Sequence, residues 1–157
     1  MKRNIATTTL LIVFATFGLS VAATAQARRD AACSLARAAG TYGFNTSGTV
    51  IGVGPRVSAG IITFDAAGNA TGKATSSLNG AIAGEKFSGT YTLSSDCRTT
   101  LTAEIRDLSG NLLLTITEDG VWDDNMREIR GVFTSATLPD GTPLLTVISV
   151  EARKMIP

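Results

Sequence analysis

Histidine is absent from this 157-residue chain, and cysteine occurs only twice. Without imidazole, general acid–base work would fall to a carboxylate, lysine or tyrosine with a displaced pKa. Two cysteines and no histidine also leave too few ligands for a closed transition-metal site. The cysteines lack C-x-x-C spacing, which argues against a reactive thiol pair. Charge of one sign is missing too. Of 14 basic residues, Lys2 and Arg3 stand apart at the N-terminus, and the remainder nearly balance 13 acidic ones. Nucleic acids and anionic membranes need a concentrated basic surface, so neither is an expected partner. Aromatic residues make up only 6% of the chain, so a packed interior would need most of them. No catalytic or cofactor motif stands out. The expectation is a non-enzymatic protein with no cofactor and no metal.

What is present begins with an export signal over residues 1–27. Lys2 and Arg3 form its basic start, Leu10 to Val21 its apolar core, and Ala23–Ala25 or Ala25–Ala27 a small-x-small cleavage site. The apolar run is short for a membrane span, so a secreted or periplasmic protein is expected. Residues 28–157 suffice for a single domain with a sizeable core. In an exported protein an even cysteine count points to a disulfide, here Cys33 to Cys97, tying an Ala-rich lead-in to the turn after Leu93.

From Gly40 onward, short alternating segments run into turns built from Asp, Gly, Asn and Ser. That pattern reads as strands joined by tight reversals. Eight strands are expected: Gly40–Ile51, Val57–Phe64, Ala70–Asn79, Lys86–Leu93, a fifth carrying Leu101, Ala103 and Ile105, then Leu112–Glu118, Glu128–Ala136 and Leu144–Arg153. Connections this short suit antiparallel neighbours, and a meander of this size avoids exposed edges by closing on itself. The fold class is therefore all-β, an eight-stranded antiparallel up-and-down barrel with a short N-terminal lead-in. A two-sheet sandwich is the competing arrangement. Glycines inside strands (Gly43, Gly48, Gly60, Gly72, Gly89 and Gly131) suit the sharp coiling of a small barrel.

The runs Cys33–Phe44, Thr63–Asn69, Asn79-Gly80 and Gly89–Cys97 resemble a largely uncharacterised group of small secreted bacterial β-barrel proteins. That group is similar to the lipocalin-like and allene oxide cyclase-like barrels. Gly40-Thr-Tyr42 stands where a lipocalin carries Gly-x-Trp, and the chain ends four residues past Arg153 where a lipocalin has a helix. Both departures favour the helix-poor cyclase and dirigent type. The resemblance implies a hydrophobic cavity and frequently a homo-oligomer, and it carries over no catalytic residue.

Three constellations remain. Tyr42, Phe44, Phe64, Phe87, Tyr91 and Phe133 either line a cavity for a small apolar ligand or simply fill the barrel. Glu118, Asp119, Asp123 and Asp124 are the densest acidic group, but their spacing matches no calcium loop and ordinary turn chemistry explains them. Trp122 beside them is expected to plug a barrel end. Finally, Glu128 and Arg130 alternate with Ile129, Gly131 and Phe133, and the apolar set should face inward.

Overall fold

The computed structural model describes residues 33–155; the expected export signal lies outside them. A short helix α1 (Leu35–Ala38) leads into eight strands. They are β1 (Gly40–Val50), β2 (Gly54–Phe64), β3 (Asn69–Leu78), β4 (Ala81–Leu93), β5 (Arg98–Asp107), β6 (Leu112–Trp122), β7 (Glu128–Thr137) and β8 (Thr146–Lys154). Each strand pairs antiparallel with the next, and β1 pairs with β8 from Tyr42↔Lys154 to Val50↔Thr146, closing the barrel. Closure leaves no open sheet edge and rules out the sandwich.

The expected strands are all present, and three differ in extent by more than two residues at one end. β2 begins at Gly54 and β4 at Ala81, earlier than alternation among large apolar side chains reveals, because Gly54, Pro55 and Arg56 and the run Ala81-Ile-Ala-Gly-Glu85 carry no such alternation. β6 runs on through Asp119 to Trp122 instead of stopping at Glu118. Its acidic residues are therefore strand residues on opposite faces, with Glu118 buried and Asp119 exposed.

Five hairpin turns share one geometry. In each, the N–H of the fourth residue bonds back to the carbonyl of the first, and that fourth residue lies in the left-handed region. A second backbone bond closes the segment over five residues in four of the turns and over six in Asp123–Glu128. The five-residue form is a type I turn with a G1 bulge. Three of these residues are Gly68, Gly110 and Gly141, whereas Cys97 (φ 67°) and Met126 (φ 56°) occupy the same position without glycine's freedom. Tertiary ties hold both: Cys97 is bonded to Cys33 with Cα atoms 5.2 Å apart, and Met126 is fully buried. In the turns Asp65–Asn69 and Asp107–Asn111, the aspartate accepts both the backbone and the side-chain N–H of the asparagine at 2.7–2.8 Å. Those bonds, the side-chain one foremost, hold both aspartate pKa values below the ordinary range.

Inward-facing glycines allow the strands to coil tightly. A Cβ at Gly48 would lie 1.9 Å from the Val147 carbonyl oxygen, one at Gly60 2.2 Å from that of Lys73, and one at Gly89 2.0 Å from that of Thr102. No side chain fits where neighbouring backbones approach so closely. Gly43 differs from the expectation: it faces open space, so close approach does not require a glycine there.

Candidate ligand site

The two ends of the barrel are built differently. One end carries α1 and the turns after β2, β4 and β6, and aromatic rings close it. Tyr42, Phe64 and Trp122 meet edge to face with centroids 5.3–5.5 Å apart, and Phe64 also meets Tyr91 at 4.8 Å. The Tyr42 hydroxyl donates to the carbonyls of Ala38 and Met126, at 2.8 and 3.0 Å, tying α1 and the β6–β7 turn to the plug. The Tyr91 hydroxyl donates to the Asp65 carbonyl at 2.7 Å. Burial raises both phenol pKa values, that of Tyr91 to about 12. Outside the plug, the Lys154 ammonium donates to the carbonyls of Arg37 and Ala39 at the end of α1 and sits over the Tyr42 ring. The Trp122 indole N–H has no acceptor among the described residues.

Beyond the plug lies a cavity of about 60 Å³. Phe44, Phe64, Phe87 and Phe133 line it together with Leu101, Ile105 and other apolar side chains. Of the six aromatic residues expected there, these four are brought together. Tyr42 and Tyr91 are not among the lining residues, because their hydroxyls are anchored to backbone carbonyls in the plug. As expected, Ile129, Gly131 and Phe133 point inward, while Glu128 and Arg130 form an exterior ion pair.

The cavity wall also carries charge that the sequence reading missed. Arg56 and Glu85 are both buried and pair through two hydrogen bonds of 2.8 and 2.9 Å; Ser76 donates to the same carboxylate at 2.6 Å. Thr46 and Ser58 pair beside them at 2.7 Å. Glu118 lines the same cavity at 8% exposure and forms no hydrogen bond or ion pair among the described residues. Desolvation, reinforced by the Asp119 carboxylate next in sequence, pushes its pKa up to about 7. The acidic group therefore does not form a common patch. Asp119 accepts from Thr100 on the outer surface, and Asp123 accepts the N–H groups of Arg127 and Glu128 in its turn. Among the described residues no cluster of three or more metal-ligating side chains exists.

A signal for the missed residues was available in strand phase. Arg56 is in step with Ser58, Ile62 and Phe64; Glu85 with Phe87 and Tyr91; Glu118 with Ile116 and Trp122. A residue two positions from a buried one points the same way.

These features define a closed eight-stranded up-and-down barrel with one plugged end and a small cavity of mixed polarity. No family model matches the chain, and no curated protein sequence does. Among solved structures it is similar in fold to designed β-barrels. The structure of EF1p2_mFAP2b bound to DFHBI shows a TM-score of 0.52 at 11% identity, covering 78% of this chain and 100% of that one. The redesigned barrel b11L5F_LGL gives 0.46 at 17% identity, over 78% and 96% of the two chains. At such identities the likeness extends to the fold alone.

Proposed function

We propose that this protein is a secreted, non-catalytic barrel that binds a small and largely apolar molecule in its interior. The observation that carries this reading is the composition of the cavity wall. A barrel serving only as a scaffold is most cheaply filled with hydrocarbon, since replacing a buried ion pair by apolar side chains is frequently neutral or stabilising. Here the aromatic plug already supplies a packed core, yet the remaining interior keeps Arg56, Glu85 and Glu118 beside four phenylalanines. The sequence resemblance to secreted lipocalin-like and cyclase-like barrels supports the same reading. The designed barrel EF1p2_mFAP2b, similar in fold, is bound to the small molecule DFHBI.

The cavity volume favours a second reading. At about 60 Å³ it falls well below the ~300 Å³ of ordinary ligand pockets. The alternative is a structural or protein-interaction module whose barrel is solid. Native mass spectrometry of protein purified from its own host separates the two and reports the oligomeric state. Retention of a small molecule, lost when the protein is unfolded, is the expected result. A bare protein mass, with unchanged methyl NMR spectra across a panel of small apolar compounds, overturns ligand binding in favour of the solid barrel.

A further inference from the structure

Glu118 is the least explained residue of the interior. Three independent features converge on it. First, it points inward from β6 into the cavity without a partner among the described residues. Second, the β6–β7 register shifts between Thr117 and Glu118: Thr117 faces Ser135 and Glu118 faces Phe133, so Thr134 is the extra residue. This bulge resets the phase of β7, so that Phe133 and Gly131 face inward with Glu118. Bulges of this kind re-aim side chains beside functional sites. Third, Gly131 makes room for the carboxylate: a Cβ there would lie 2.6 Å from Glu118 Oε1.

The charge balance of the cavity identifies what is missing. Its other ionisable wall residues, Arg56 and Glu85, neutralise each other through two hydrogen bonds. The neighbours of Glu118 from β5 and β7 are Thr99, Leu101, Gly131 and Phe133, none of them ionisable. Asp119 is engaged with Thr100 outside. An ionised Glu118 therefore leaves the interior one negative charge in excess, and a buried charge is tolerated when it is paired and hydrogen-bonded. We propose that Glu118 is the anchoring residue for a ligand that combines a protonated amine with a short apolar body. The ammonium would pair with the Glu118 carboxylate, and the hydrocarbon would lie against the phenylalanines. This rests on the reading of the cavity as a ligand site and gives that ligand a chemical class.

The test compares n-propylamine and n-butylamine with the matching alcohols and with butyrate, by methyl NMR titration of the full folded domain. At pH 8 the amines should bind about ten-fold more tightly than the alcohols, as one added charge-assisted hydrogen bond implies. Butyrate should bind weakest. Glu118→Gln should bring the amines to the level of the alcohols while leaving alcohol binding in place. Lowering the pH to 5.5, where Glu118 is protonated and the amines stay charged, should erase the preference in the unaltered protein, so one arm needs no variant. Alcohols binding as tightly as amines at pH 8, or Glu118→Gln retaining the amine preference, overturns the anchor and leaves the ligand cavity standing. Absence of any shift with amines and alcohols alike overturns both.

Discussion

The plugged end and the polar half of the barrel solve opposite problems with the same strands. At the plugged end Tyr42, Phe64, Tyr91 and Trp122 interlock, their two hydroxyls spent on backbone carbonyls and α1 packed beneath them. In the other half the interior positions of β2, β4 and β6 hold Arg56, Glu85 and Glu118, and side chains do not fill the space between them. Inward positions in one half maximise apolar contact, and in the other they give up part of it for charge. A barrel can divide its labour along its axis because strand alternation sets each interior position separately.

The sharpest way to break this comparison is to delete apolar volume at the plugged end. Trp122→Ala should cost about 3–5 kcal/mol, the range for removing a large buried aromatic side chain. Urea unfolding followed by far-ultraviolet circular dichroism measures it, since Trp122 is the only tryptophan and fluorescence would be lost. A loss under 1 kcal/mol would mean that the rings do not hold this end together.

The polar half should respond in the reverse sense. Glu85→Ala leaves the Arg56 guanidinium buried without its carboxylate and should cost about 3 kcal/mol. Replacing both partners, Arg56→Met with Glu85→Leu, should leave stability unchanged or raise it by about 1–4 kcal/mol, because the desolvation of two charges is removed. Equilibrium unfolding of the single and double variants decides the matter. A double variant as unstable as the single one would make the ion pair part of the scaffold and erase the distinction between the halves.

The contrast was half legible in the sequence. The barrel could be read because each turn announces itself: Asp65–Asn69 and Asp107–Asn111 repeat one Asp-x-x-Gly-Asn pattern, and large apolar residues alternate between turns. The disulfide followed from cysteine arithmetic, and Cys33 and Cys97 are bonded. The polar interior was harder to see. An isolated Arg, Glu or Ser in a strand is ordinarily on the solvent face, so composition assigns it there. Only strict phase counting across Arg56 and Glu85 moves them inside. For Phe133 and Glu118 even phase counting falters across the pair, because the bulge at Thr134 shifts β7 by one residue and depends on which strand lies opposite. The separation of Tyr42 and Tyr91 from the cavity depends on where their hydroxyls find acceptors, and a linear pattern carries no record of that.

Glu118 supplies the subtlest test, because its charge state should set a stability slope that the plugged end lacks. Its native pKa of about 7 stands above the ordinary 4.5, through burial first and Asp119 second. Between these values the folded protein keeps a proton that the unfolded chain has released, so stability falls as pH rises through the window. The contribution is fully favourable below about 4.5 and levels off above about 7. The drop should be on the order of 3 kcal/mol for a group this buried. The exposed aspartates Asp65, Asp96, Asp107 and Asp140 have lowered values, so their effects fall at more acidic pH and carry the opposite sign. Glu118→Gln keeps the shape and removes the titration. Denaturant midpoints taken from pH 4.5 to 8 should therefore decline in the parent protein and stay level in the variant. Parallel profiles would mean that Glu118 is solvated in the folded state, and the polar half would then lose the feature that separates it most clearly from the plug.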